Sequence, residues 1–134
     1  MRIAILTLQW LIRVCAVVQI VLGGLFWTGN AYALLPLHML TGIVLVLGLW
    51  VQSGLAARAG LGWPVLVLAF VWGVIVVGLG MTQDSLLTGD LHWLIKVVHL
   101  LVGLGAVGQA ESLAVRSLRR IQHTLPSKLV AETR

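Results

Sequence analysis

Four long apolar segments alternate with short polar connectors along the chain. The segments cover residues 3–27, 34–55, 63–81 and 91–113. Each is close to the roughly 20 residues that a helix needs to cross a hydrocarbon core. Helices are expected because an isolated strand would leave its backbone groups unpaired in lipid. The pattern therefore predicts an all-α fold, a bundle of four transmembrane helices in which short connectors make consecutive helices antiparallel.

Basic residues mark one side of the predicted membrane. Apart from Lys96, every Lys and Arg lies near the N-terminus, in the second connector or after residue 113. The first and third connectors have none. By the positive-inside rule, we expect both termini and the second connector to be cytoplasmic. Residues 1–113 are predicted to form the bundle, and residues 114–134 a basic cytoplasmic tail.

The composition agrees with a membrane protein. Hydrophobic residues make up 60% of the 134 residues and charged residues only 10%, against about a quarter charged in soluble domains. We interpret the net charge of +5 as a consequence of basic residues that mark the cytoplasmic side. The expected partner is therefore the lipid bilayer, and nucleic-acid binding is not expected. The predicted location is a bacterial inner membrane. Residues 1–33 could also be a signal peptide ending at Ala31-Tyr32-Ala33, but we interpret them as a retained first helix.

Two histidines carry the strongest chemical signal. His38 and His99 lie inside apolar segments, where a histidine is a functional hypothesis by default. Cys15 is the single cysteine and no CxxC occurs, which excludes an internal disulfide, a cysteine zinc cluster and a covalent c-type haem. Helices two and four are expected to be parallel and to face each other across the bundle. Two imidazoles on facing helices form the axial pair of a bis-histidine haem b, with iron as the metal.

Glycines and polar residues surround the predicted haem ligands. Gly42 and Gly103 each follow a histidine by one turn and could give a macrocycle room, although glycines also serve close helix packing in membranes. His92 and Lys96 share a helix face with His99 and are candidate contacts for haem propionates. The alternatives are that Lys96 snorkels to the interface and that His92 lies among headgroups. Further polar residues could serve a quinone site without requiring one: Arg13, Gln19, Gln109 and Glu111.

Two stretches resemble the haem A synthase family. In the first half, Gln19-x3-Gly23-Gly24 and Thr28-Gly29 precede a helix that begins Leu37-His38. In the second half, Val98-His99-Leu100-Leu101 is similar to the histidine helix that closes a module of that family. The chain covers one four-helix half of such a protein. The resemblance implies a bundle whose second and fourth helices supply haem ligands, here His38 and His99.

The function predicted first is that of a b-type membrane cytochrome. It would be an electron-transfer subunit of a larger complex, without catalysis of its own, passing electrons between a quinol or membrane donor and redox partners on the outer side. The alternative is a cofactor-free structural or anchoring subunit of a respiratory or photosynthetic membrane complex. A metal carrier using His38, His99 and His92 ranks lower. Small multidrug transport fits poorly, because no carboxylate lies in the middle of a segment.

Overall fold

The computed structural model describes the backbone of residues 1–132 and the side chains of residues 1–123. It contains four long helices: α1 Arg2–Trp27, α2 Leu35–Ala56, α3 Trp63–Thr82 and α4 His92–Glu132. All four are long and apolar enough to cross a membrane, and the described residues include no strand. The predicted all-α bundle of four membrane-spanning helices is confirmed. The chain is a multi-pass membrane protein.

The helix ends follow local sequence signals. Pro36 and Pro64 lie in the first turns of α2 and α3, where a proline needs no backbone N–H partner. A π-helical turn over Ala57–Leu61 connects α2 to α3. Gly60 inside this turn and Gly62 directly after it have φ angles of 92° and 84°. Glycine adopts such angles without steric cost, so the chain reverses here within a few residues.

Helix α4 extends well beyond the predicted boundary at residue 113. It continues through Pro126 to Glu132, and residues 109–125 contain no glycine or proline. Ala114 and Ser117 are fully buried, so the first turns after the boundary still belong to the bundle. The hydroxyl of Ser117 donates to the Leu113 carbonyl at 2.6 Å. The cytoplasmic location of residues 114–134 stays a prediction.

Helices α2 and α4 face each other. Each contacts the other and both remaining helices, whereas α1 and α3 share hardly any contact among the described residues. This arrangement was expected from the sequence. We call the end of the bundle with the connectors 28–34 and 83–91 the histidine end. We call the end with the connector 57–62 and the C-terminal half of α4 the arginine end.

A large side chain packs onto a glycine of the next helix at three places. Ile12 of α1 covers Gly48 of α2, where an added Cβ would lie 2.9 Å from Ile12 Cγ1. Trp50 of α2 covers Gly73 of α3 in the same way. The Trp50 indole also donates its N–H to the Ala69 carbonyl at 3.2 Å. These contacts bring neighbouring helices close together, as small residues do in membrane bundles.

The third contact joins α3 to α4. Trp72 lies over Gly105, where an added Cβ would be 2.6 Å from Trp72 Cζ2. Its indole N–H donates to the Val102 carbonyl at 2.9 Å. Trp50 and Trp72 are thus both packing residues of the bundle.

Candidate functional site

His38 lies in the first turn of α2, against α1. Its Cε1 atom is 3.9 Å from the position that a Cβ would take on Gly23. Phe26 meets the imidazole edge-on, with ring centroids 5.3 Å apart and an interplanar angle of 71°. The side chain is half-buried. The entry of α2 at Leu35 and the end of α1 at Trp27 thus hold the ring between two helices.

A side chain from α1 also fixes the backbone beneath His38. The Gln19 amide donates to the His38 carbonyl and to Thr41 Oγ1, the latter at 2.7 Å. Thr41 in turn donates to the Leu37 carbonyl at 2.8 Å. The sequence could not identify these partners of Gln19, because they depend on how α1 and α2 are aligned.

Gln19 occupies the space beside Gly42. A Cβ added to Gly42 would lie 3.3 Å from Gln19 Nε2. Nothing lies within 4 Å of the corresponding position on Gly103. The two glycines predicted to give a macrocycle room are therefore not equivalent: one faces the Gln19 amide and the other faces open space. Their role toward a macrocycle stays a prediction.

His99 lies on α4 against α3. A Cβ on Gly80 would be 3.2 Å from His99 Cε1 and 4.0 Å from Nε2. The ring is half-buried. Each histidine thus belongs to one of the two facing helices and packs against a glycine of the helix that precedes it in the chain.

The two imidazoles share one feature. In both rings the Nδ1 atom is buried and has no hydrogen-bond partner among the described residues. Those residues contain no group of three or more His, Cys, Asp or Glu side chains that could hold a metal ion. Whether His38 and His99 act together on one ligand stays a prediction.

Lys96 and His92 extend this site toward the histidine end. Both are half-buried, and Lys96 has no ion-pair partner among the described side chains. The Nδ1 atom of His92 lies 3.3 Å from the Leu86 carbonyl and donates to it when that nitrogen carries the proton. The Lys96 side chain and the His92 imidazole are thus available to an anionic group that would lie between His99 and the histidine end.

A second polar cluster lies toward the arginine end. Arg13 of α1 binds Glu111 of α4 through two hydrogen bonds, Nε to Oε1 at 2.7 Å and Nη2 to Oε2 at 2.8 Å. Gln9 donates to the same carboxylate at 2.6 Å, and Trp10 lies 5.2 Å from the guanidinium. These residues pair with each other, so they link α1 to α4.

Gln52 differs from the other polar residues of the bundle. Its side chain is fully buried in α2, and neither amide atom has a partner among the described residues. A buried amide without a hydrogen bond is costly. Gln52 is not among the residues predicted from the sequence to carry chemistry, although a glutamine among apolar residues is a visible signal.

A bis-histidine haem would need one nitrogen from each of two facing side chains, and a ligating imidazole would use its second nitrogen for a hydrogen bond. Among the described residues, the buried Nδ1 atom of each ring has no such partner. Comparison of the chain with protein families, with curated proteins and with solved structures found no match.

Proposed function

We propose that the protein is a b-type membrane cytochrome in which His38 and His99 are the axial ligands of one non-covalent haem b. The observation that carries the proposal is the placement of the two imidazoles. They lie on the two facing helices, and each has a buried Nδ1 atom without a partner among the described residues. His38 and His99 would hold such a haem, which would supply one-electron transfer chemistry there.

The neighbouring residues would orient the two ligands. Gln19 and Thr41 fix the turn that carries His38, and Gly80 allows His99 to lie close to α3. Lys96 and His92 would pair with the propionates, because a cation within reach of a carboxylate forms a strong hydrogen bond. Apolar neighbours such as Phe26 would keep water away from the ring of His38.

The same proposal includes an orientation. We place the arginine end in the cytoplasm and the site near the outer leaflet of a bacterial inner membrane. Arg58, Arg116 and Arg119 lie at one end, whereas Asp84 and Asp90 lie at the other, which follows the positive-inside rule. Electrons would pass between a quinol or membrane donor and a redox subunit on the outer side. The protein would transfer electrons within a larger complex and have no catalytic activity alone.

An absorption spectrum of the purified full-length protein tests the proposal. We expect a Soret band and a reduced-minus-oxidised spectrum of a low-spin b-type haem. His38→Ala and His99→Ala should each remove the low-spin signal, and the double variant should lose the haem. His123→Ala is the matched control, since that histidine is exposed far along α4, and it should leave the spectrum unchanged. Absence of a Soret band, or its survival in the double variant, overturns the proposal.

One observation favours a cofactor-free structural subunit as the second candidate. Only Ala69 and Gly73 are buried in α3, so most of this helix is uncovered by the chain itself. An exposed apolar helix of this kind suits packing against another membrane subunit as well as lipid. Purification of the chain at fixed stoichiometry with other subunits, with no haem in the preparation, would select this candidate.

A further inference from the structure

A groove of about 280 Å³ opens between α3 and α4 in the half of the bundle nearer the arginine end. Val65 and Leu68 of α3 line one side, and Gly108, Ser112 and Arg116 of α4 line the other. The three α4 residues follow at intervals of four, so they form one stripe along the helix. The groove therefore runs along the helix axis, and with it roughly along the bilayer normal.

The two ends of the groove differ in polarity. Gly108 marks the apolar end, and nothing lies within 4 Å of a Cβ placed there. Arg116 marks the cationic end, about 12 Å further along the helix at 1.5 Å per residue. That length is most of one hydrocarbon leaflet, which is about 15 Å thick. The groove thus changes from apolar to charged toward the arginine end. A phospholipid with its headgroup at the arginine end changes in the same direction, from acyl chain to headgroup.

Arg116 lies close to the membrane surface. One turn further along α4, Arg120 Nη1 is 3.6 Å from the Cβ position of Gly60, which belongs to the connector between α2 and α3. Trp63, the first residue of α3, is 70% exposed, and exposed tryptophans at helix ends favour the interface. The guanidinium of Arg116 is thus at headgroup depth, while Leu68 lies deeper.

The polar side chains of the groove are unused by the bundle. Gln109, Ser112 and Arg116 make no side-chain hydrogen bond or ion pair with the residues whose side chains the structure describes. Polar groups on a lipid-facing stripe need a partner, since hydrocarbon provides none. The only ion pair among those side chains joins Arg13 to Glu111, so the groove has a free cation and no free carboxylate beside it.

We infer that the groove binds one anionic phospholipid from the leaflet at the arginine end. The phosphate accepts hydrogen bonds from the Arg116 guanidinium and the Ser112 hydroxyl, and one acyl chain lies over Gly108 against Val65 and Leu68. Basic pockets between membrane helices bind anionic headgroups in this way. The inference requires a membrane-embedded bundle but no haem, so it stands or fails separately from the proposed function.

Native mass spectrometry of the full-length protein, released from nanodiscs of mixed phosphatidylcholine and phosphatidylglycerol, tests the headgroup contact. We expect one retained phosphatidylglycerol per chain. Arg116→Gln should weaken retention about fivefold, the effect of one basic residue near an anionic lipid surface. Arg119→Gln is the matched control, because it removes the same charge from the same helix outside the groove. Equal loss of the lipid from both variants would show that retention comes from nonspecific electrostatic attraction to the basic helix. The inference of a specific site would then be wrong.

A second pair of variants tests the acyl-chain contact without changing any charge. Gly108→Leu fills the groove and should abolish the retained phosphatidylglycerol. Gly78→Leu adds the same side chain on α3, also at a position with nothing within 4 Å, and should leave retention unchanged. Circular dichroism verifies that both variants are folded. Retention by Gly108→Leu at the wild-type level overturns the inference.

Discussion

His99 of α4 lies so close to Gly80 of α3 that a methyl group on the glycine would be 3.2 Å from the imidazole Cε1. The corresponding contact at the other histidine is looser. A methyl group on Gly23 would be 3.9 Å from His38 Cε1, which is ordinary van der Waals contact. The two imidazoles therefore differ in how tightly the neighbouring helix limits their positions, and His99 is the more constrained one.

Gly80→Ala should disturb the His99 ligand, whereas Gly23→Ala should not disturb His38. The added methyl displaces the His99 ring by a few tenths of an ångström, and changes around a metal ligand typically lower metal affinity tenfold or more. We expect haem retention in Gly80→Ala to fall on the order of tenfold, with a shifted low-spin electron paramagnetic resonance spectrum. Gly23→Ala is the matched control. Equal spectra and equal retention in both variants would show that Gly80 does not position His99.

The four helices follow from the sequence for a simple physical reason. Segment length, apolarity and connector signals are local properties, so the prediction of four spans is confirmed to within about two residues at most ends. The exception is the end of α4, where the apolar pattern fades at residue 113 but the helix continues. Helix propensity does not require apolar residues, so hydropathy alone could not locate that end.

The contacts of the site could not be predicted in the same way. That Gln19 bonds at His38, or that Gly80 meets His99, depends on the axial alignment and rotation of neighbouring helices. Those are set by packing such as Trp72 on Gly105, which involves residues far apart in the chain. The sequence could therefore suggest candidate residues on α2 and α4, but not which residues of α1 and α3 contact them.

Replacing the glycines beneath the tryptophans should destabilise the bundle. Gly105→Ala puts a methyl 2.6 Å from Trp72 Cζ2, and Gly73→Ala puts one 2.8 Å from Val46 Cγ1. Overpacking of this kind costs about 1–3 kcal/mol. We expect both variants to lower the free energy of unfolding by that amount in a detergent titration followed by circular dichroism.

Gly78→Ala is the control for these two variants. Nothing lies within 4 Å of its Cβ position, and alanine favours a helix over glycine by up to about 1 kcal/mol. Its stability should equal or exceed that of the wild type. A Gly105→Ala variant as stable as Gly78→Ala would mean that Trp72 does not pack on α4 as described.

Gln52→Met should stabilise the protein. The Gln52 side chain is fully buried, with no partner for either amide atom among the described residues. Methionine keeps its length and removes a polar group whose burial costs about 1–3 kcal/mol when unpaired. The free energy of unfolding should rise by about 1 kcal/mol.

Gln19→Met provides the matched comparison for Gln52. The Gln19 amide is bonded to Thr41 and to the His38 carbonyl, so its removal should lower stability by about 0.6 kcal/mol, the average for such bonds between membrane helices. The two substitutions are chemically identical and are expected to act in opposite directions. Destabilisation by both would show that Gln52 is hydrogen-bonded in the folded protein, for example to an ordered water.

A double-mutant cycle on Arg13 and Glu111 should reveal a coupling between α1 and α4. The pair has two hydrogen bonds of 2.7 and 2.8 Å, but its side chains are 43% and 31% exposed, which limits its strength. We expect Arg13→Gln and Glu111→Gln each to destabilise the bundle, and the double variant to lose less than the sum of the two single effects, which is the coupling. Arg116→Gln combined with Glu111→Gln is the control cycle, because Arg116 makes no ion pair with that carboxylate. Its effects should add, so a coupling of equal size in both cycles would reflect net charge rather than the contact between Arg13 and Glu111.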